Sequence, residues 1–245
     1  MRKTLPPRID TFSLPPGRIL AGRYEVNELL GAGWEGEVYS VVECRTGIPR
    51  AAKIFFPQRN VKDRALRAYA TKLNRLRDCP IIIQYHHSEE FSLRGHKVTA
   101  LISDLVEGEL LEDFLRRQPG RRLHSFEALH LVHAISVGVE QIHNSGEYHG
   151  DLHDRNVIVR RHGLGYAVKL LDFYDWGGPR HQKRAHDVLD LVRLLYDAVG
   201  GRERYPKLPP EIKAICLGLR SDLIRRKFPS ATRLRAHIES IDWSR

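Results

Sequence analysis

The sequence predicts an α+β fold of two parts, a small strand-rich part followed by a larger helical one. Three observations carry this. Residues 24–56 hold short apolar strands around a glycine-rich turn, with a second turn at Thr46-Gly47-Ile48-Pro49. Residues 61–77 switch to helical period, with Leu66, Tyr69, Leu73 and Leu76 on one stripe and Arg64, Arg67 and Arg75 opposite. Beyond Val106 the apolar spacing is mostly helical.

Each element follows in order. Two Pro-Pro pairs make residues 1–19 an extended lead-in rather than a folded element. Tyr24, Val26, Leu29 and Leu30 lead into the turn, and Val41-Val42 lead out of it. Ala51–Phe56 reads as a third strand. Ile81–Tyr85 and Val98–Val106 complete the strand-rich part. Helices are expected from Leu110, over Phe126–His143 with Ser125 as N-cap, and over Asp187–Val199, Pro210–Leu219 and Ser230–Ile241. The expected division is a lead-in at 1–19 and one domain at 20–245, its lobes at about 20–105 and 107–245.

Composition bounds the function. The chain has 245 residues and a net charge of +10, with 42% apolar residues, enough for a packed core. No apolar run approaches the roughly 20 residues of a membrane span. The basic N-terminal stretch lacks the apolar core of a secretory signal, so a cytoplasmic location is expected. Cys44, Cys79 and Cys216 are too few and too far apart for a zinc site or a disulfide framework. The basic charge favours an anionic partner without choosing one.

The chemistry lies in three segments. Gly31-Ala32-Gly33-Trp34-Glu35-Gly36-Glu37-Val38 stands between two strands. A dinucleotide fingerprint instead opens a helix, so this turn reads as a lid whose backbone amides lie over phosphates. Lys53, in an apolar strand, is costly to bury alone and reads as facing an anion. A surface lysine is the plainer reading. Then His149-Gly150-Asp151-Leu152-His153-Asp154-Arg155-Asn156 forms a tight loop with a carboxylate and an amide, and Leu171-Asp172-Phe173 adds a second carboxylate at a strand end. Asp151 as proton acceptor, with Asn156 and Asp172 on Mg²⁺, is a phosphoryl-transfer set.

Taken together and in this order, the segments resemble the protein-kinase superfamily, from about Leu20 to Trp243. The resemblance is to bacterial eukaryotic-like serine/threonine kinases with a shortened activation segment. The resemblance implies a bilobal protein-kinase-like fold, with a small antiparallel-sheet N-lobe carrying one helix and a mainly helical C-lobe. It implies that ATP and Mg²⁺ are the cofactors and that a protein or small-molecule hydroxyl is the acceptor. Gly31, Ala32, Gly33, Gly36 and Val38 would cover the nucleotide. Ala51 would line the adenine site, and Lys53 would hold the α- and β-phosphates. Backbone groups of Asp104 and Val106 would bond adenine beside a small Ser103, and Glu109 would meet the ribose. Asp151 would take the acceptor proton, with His153 beside it where serine/threonine kinases carry Lys. Asn156 and Asp172 would bind metal. Asp187 resembles the buried aspartate that braces the catalytic loop.

Departures from the family pattern matter as much. The helix acid expected to pair with Lys53 is replaced by Ala70, leaving another acid or the phosphate itself to orient the lysine. Gly150 replaces the Arg that reads an activation-loop phosphate, as in the loop of aminoglycoside- and choline-type kinases. Tyr174 replaces the glycine after Phe173, the segment from Asp172 to Asp187 is short, and no Ala-Pro-Glu motif follows. Glu35 reads as an outward-facing, exposed side chain, with weakened nucleotide binding as the other reading. The leading expectation is a compact serine/threonine protein kinase. A small-molecule kinase and a catalytically silent binding module are the alternatives. The basic helix at 62–77 reads either as a solvated face or as the dock of an acidic partner. No aromatic-interleaved motif supports nucleic acid.

Overall fold

Alternation along the first strands gives one face of a sheet its apolar side chains. The computed structural model describes residues 8–163, 165–173 and 177–242. It divides into two compact units, one running through Arg77 and including Ile83–Val106, the other formed by Asp78–Ile82 and the chain from Glu107 onward.

The first unit contains β1 (Ile19–Leu20), β2 (Tyr24–Ala32), β3 (Gly36–Glu43), β4 (Pro49–Phe55), α1 (Arg64–Arg75), β5 (Tyr85–Leu93) and β6 (His96–Asp104). The strands form one antiparallel sheet in the order β1-β2-β3-β4-β6-β5. Register decides what each face carries. Val38 lies opposite Lys53, Gly36 opposite Phe55, and Ala51 opposite both Ser40 and Ser103. Side chains alternate along a strand, so Gly36, Val38, Ala51, Lys53 and Ser103 share one face. The other face carries Tyr39, Ala52, Ile54 and Ile102, all buried.

That second face is covered by the segment expected to be a bare lead-in. Residues 8–14 form no helix or strand, yet Ile9, Phe12 and Leu14 are buried in the same core as Tyr39, Ile54 and Ile102. Phe12 stacks on Phe56 with ring centroids 5.1 Å apart. The Arg94 guanidinium donates to the carbonyls of Thr11 (3.1 Å) and Phe12 (3.0 Å). Glu37, 3% exposed, accepts from Thr11 Oγ1 at 2.8 Å, from the Phe12 N–H at 3.1 Å and from the Tyr39 hydroxyl. Burial, then the bond to Glu37, push the Tyr39 hydroxyl up to about 12. A buried carboxylate is tolerated because donors surround it.

The second unit contains β7 (Glu109–Leu110), α2 (Leu111–Arg117), α3 (Ser125–Asn144), β8 (Val157–His162), β9 (Gly165–Leu170), α4 (Arg180–Ala198), α5 (Gly201–Arg204), α6 (Pro210–Cys216), α7 (Ser221–Lys227) and α8 (Ala231–Glu239). Helix α3 packs against α4, α8 and β9, and buries Leu129, Val132, Ile135, Val139 and Ile142. The three strands form a small antiparallel sheet, β7-β8-β9. Asp78–Ile82 joins this unit because the Leu170 N–H donates to Ile81 O at 2.9 Å and Lys169 Nζ reaches Pro80 O at 2.6 Å.

Several boundaries differ from expectation. Ser125 is the first residue of α3, not its cap; His124 caps it, and Glu127 returns a bond to the His124 N–H at 3.3 Å. Strand β5 starts where Ile81–Tyr85 was expected to end, because Tyr85–Leu93 alternates half-buried and exposed polar side chains that carry little apolar signal. Helix α4 begins at Arg180, ahead of the expected Asp187, and α7 was not foreseen. Cys44 is exposed, whereas Cys79 and Cys216 are buried. Among the described residues no helix is long and apolar enough to cross a membrane.

Candidate active site

The first unit gathers the residues expected to hold a nucleotide. The β2–β3 turn closes through the Gly33 N–H donating to Gly36 O at 2.9 Å. Gly36 is fixed by close approach: an added Cβ would stand 2.0 Å from Ile54 O. At Gly31 and Gly33 an added Cβ would meet nothing within 4 Å, so the turn leaves open space on that side. Ala32 pairs with Glu37 at the end of β2.

Lys53 is 9% exposed. Its Nζ stands 3.2 Å from Glu35 Oε2 and 4.4 Å from the centre of the Tyr69 ring. Two sequence readings change here. Glu35 turns inward to the lysine rather than out to solvent, because a poorly hydrated ammonium draws the nearest anion. Helix α1, with Ala70 in place of an acid, presents the face of Tyr69 to the lysine instead, a cation–π contact. Tyr69 was visible in the sequence only as a member of the apolar stripe.

Ser103 is buried, and its hydroxyl donates weakly to Asp104 O at 3.4 Å. The Asp104 N–H donates to Gln84 O at 3.0 Å. Its carboxylate accepts from Arg50 Nη1 at 2.8 Å and lies 2.6 Å from His86 Nε2. These bonds fix the backbone of Asp104 just before Val106.

The second unit gathers the chemistry. Helix α3 delivers the chain to His149, which is fully buried. The Asp151 N–H donates to His149 Nδ1 at 3.3 Å, so the neutral ring carries its proton on Nε2, which donates to Leu171 O at 2.8 Å. The His149 ring also lies against Phe173, centroids 4.7 Å apart. Gly150 has φ +89°, a conformation that suits glycine and strains an arginine. The N–H groups of His149 and Gly150 each donate to the Asp187 carboxylate at 2.8 Å, and His143 Nε2 lies 2.8 Å from it. Burial alone would raise the Asp187 carboxyl. The bond from His143, the nearby His149 and His143 rings and the Gly150 N–H together hold it below its ordinary value.

Asp151 is half exposed. Asn156 Nδ2 donates to Asp151 O at 2.8 Å and approaches Asp151 Oδ2 at 3.3 Å. The Arg155 N–H donates to His153 Nδ1 at 3.2 Å. His153 Nε2 lies 3.1 Å from Asn156 Nδ2 and 3.5 Å from Asp151 Oδ2. Asp172 is held at φ +45°, an uncommon backbone state for a non-glycine residue. Tyr174, the departure after Phe173, lies outside the described residues. Glu109 begins β7, and its carboxylate is paired with Arg117.

The family implies a divalent cation here, and the donors suit one. Because Asn156 Nδ2 turns to Asp151, Asn156 Oδ1 is left without a hydrogen bond among the described residues. With the Asp172 carboxylate it offers two hard oxygen ligands. Among the described residues no group of three or more His, Cys, Asp or Glu could hold a metal by itself. Such a pair needs phosphate oxygens to complete the shell.

A strand-rich unit with a glycine turn and a buried strand lysine, and a helical unit with an aspartate-braced catalytic loop, define a protein-kinase-type chain. Residues 24–188 match the protein kinase domain family, and the chain belongs to that family. It is 30% identical over 168 residues to the serine/threonine-protein kinase pkn2 of Myxococcus xanthus, covering 65% of this chain and 19% of that one. It is 27% identical over 160 residues to PknA of Mycobacterium tuberculosis, covering 64% of this chain and 36% of that one. A match to human myosin-IIIa, 27% identical over 156 residues, covers 61% of this chain and 9% of that one. The chain thus spans well under half the length of these curated relatives. The crystal structure of the Mycobacterium tuberculosis PknI kinase domain has the same fold, with a TM-score of 0.63 at 22% identity over 93% of this chain and 99% of that one.

Proposed function

We propose that this chain is a serine/threonine protein kinase that moves the γ-phosphate of ATP to a protein hydroxyl with Mg²⁺. The observation that carries the reading is the loop around Asp151, pinned by Asp187 through two backbone N–H groups and by Asn156 through the Asp151 carbonyl. We take residues 20–245 as one protein-kinase-like domain, with residues 8–14 packed onto its sheet as part of the same core. Gly31, Ala32, Gly33, Gly36 and Val38 cover the nucleotide, Ala51 and Ser103 flank adenine, and Lys53 meets the phosphates. The Asp104 carbonyl and the Val106 N–H meet the adenine edge, and Glu109 borders the ribose. Asp151 accepts the proton of the acceptor hydroxyl as the oxygen attacks phosphorus. His153 borders that carboxylate, its ring nitrogen Nε2 3.5 Å from Asp151 Oδ2. Asn156 and Asp172 would hold the cation, which when bound neutralises phosphate charge.

The test uses γ-labelled ATP and Mg²⁺ with the wild type and Asp151→Asn, alone and with a basic acceptor protein. Label on protein from the wild type only supports the reading. Label on a small hydroxyl compound but not on protein transfers the assignment to the small-molecule class. Nucleotide binding with no turnover identifies a silent module. The exposed Arg64, Arg67 and Arg75 of α1 are the surface an acidic partner would use. Loss of acidic-peptide binding in the triple Ala variant tests that surface.

A further inference from the structure

The tip of the glycine turn sends two neighbouring side chains opposite ways. Trp34, 60% exposed, lies outside with the Arg59 guanidinium 4.1 Å from its ring centre. Glu35 goes inside, to within 3.2 Å of Lys53 Nζ. The backbone on both sides is fixed, since Glu35 O accepts from the Phe56 N–H at 2.9 Å and Gly33 and Gly36 close the turn. Helix α1 meets the same ammonium with the Tyr69 ring. A carboxylate thus reaches Lys53 from the turn, while an uncharged ring meets it from the helix.

Phosphates lying under this turn need the turn-facing side of Nζ. They are anions, and so is the Glu35 carboxylate. The two cannot hold the same ammonium direction without repulsion. We infer that Glu35 sets nucleotide affinity by competing with the phosphates for Lys53, so that nucleotide enters only as the Glu35–Lys53 pair opens. This inference rests on the nucleotide reading given above and adds a determinant to it. It also gives the missing helix acid a physical consequence. An acid on the helix would orient Lys53 without opposing phosphate, whereas an acid on the turn holds the lysine only while phosphate is absent.

Calorimetric titration of the wild type, Glu35→Gln and Glu35→Ala with ATP·Mg, ADP·Mg and adenosine tests this. A hydrogen bond to a charged group is worth enough that its loss shifts affinity about tenfold. Both variants are expected to bind ATP and ADP about tenfold more tightly and adenosine equally well. Glu35→Gln, which keeps an amide oxygen beside Lys53, is expected to melt like the wild type, whereas Glu35→Ala is expected to melt lower. Unchanged or weaker ATP binding in the variants, beside a wild type that binds, overturns the inference alone. An equal gain for adenosine also overturns it, because a loosened turn rather than charge would be the cause. A wild type that binds none of the three removes the nucleotide reading and the inference with it.

Discussion

The Gly150 N–H donates to Asp187 Oδ1 across 2.8 Å, tying the residue before the candidate base to a carboxylate buried in α4. The neighbouring His149 N–H takes the other oxygen. Two consecutive amides on one carboxylate fix the peptide plane that leads into Asp151. Replacing Asp187 with Ala removes the carboxylate that both amides and His143 meet in a dry interior. Asp187→Ala is expected to cost about 3–5 kcal/mol of stability, read by chemical denaturation. A loss below about 1 kcal/mol would show the brace to be dispensable.

The same residue predicts a pH response. The folded Asp187 carboxyl titrates below its ordinary value. Its contribution is therefore present above the unfolded value and disappears as pH falls through the folded one. Melting temperatures of wild type and Asp187→Asn should converge in strong acid, below the ordinary carboxylate range. A gap that stays constant down the acid limb contradicts this.

Asp190, further along α4, behaves oppositely. Burial first, then the charges of Asp187 and Asp151, outweigh Arg193 and push it up to about 7 from its ordinary 3.8. Between those values the folded carboxyl keeps a proton that the unfolded one releases. Wild-type stability from this group is thus greatest at low pH and is lost as pH rises toward about 7. Asp190→Asn is expected to raise the melting temperature at pH 8 and leave it unchanged near pH 4. An equal gain at both would mean that charge is not the cause.

Gly33 and Gly36 separate packing from binding. Gly36→Ala drives a Cβ into Ile54 O and should unfold or weaken the sheet. Gly33→Ala meets no protein atom, so its melt should match wild type. Because that open side is where phosphates are proposed to lie, Gly33→Ala should weaken ATP binding by about tenfold or more. Wild-type ATP affinity in Gly33→Ala would argue against phosphates under this turn.

Asp172→Ala is expected to abolish the Mg²⁺ dependence of nucleotide binding while leaving adenosine binding intact. Titrations with and without Mg²⁺ read this directly. A preserved Mg²⁺ effect would place the cation elsewhere.

Much of the helical unit was legible because its signals are local. The spacing of Asp151, Asn156 and Asp172 needs only sequence order, and the reading of Asp187 as a brace came from the family resemblance that this order carries. The fold class was legible for the same reason. What escaped depended on contacts distant in the chain. Glu35 meets Lys53 because β3 and β4 pair, and no property of Glu35 itself announces an inward rotamer. Tyr69 has the spacing of a core residue, and its ring face becomes a cation partner only once β4 is beside α1. Strand β5 alternates polar side chains on both faces, so its pairing with β6 supplies what propensity does not.

Ile9, Phe12 and Leu14 were masked by the prolines around them, yet they close one side of the sheet. The family match begins at Tyr24. A shortened expression clone cut at that residue would keep every motif and lose the partners of a buried acid. Glu37 would retain the Tyr39 hydroxyl but neither Thr11 nor Phe12. Homology therefore draws the catalytic boundary in one place, and solubility of the product draws it at least ten-odd residues earlier.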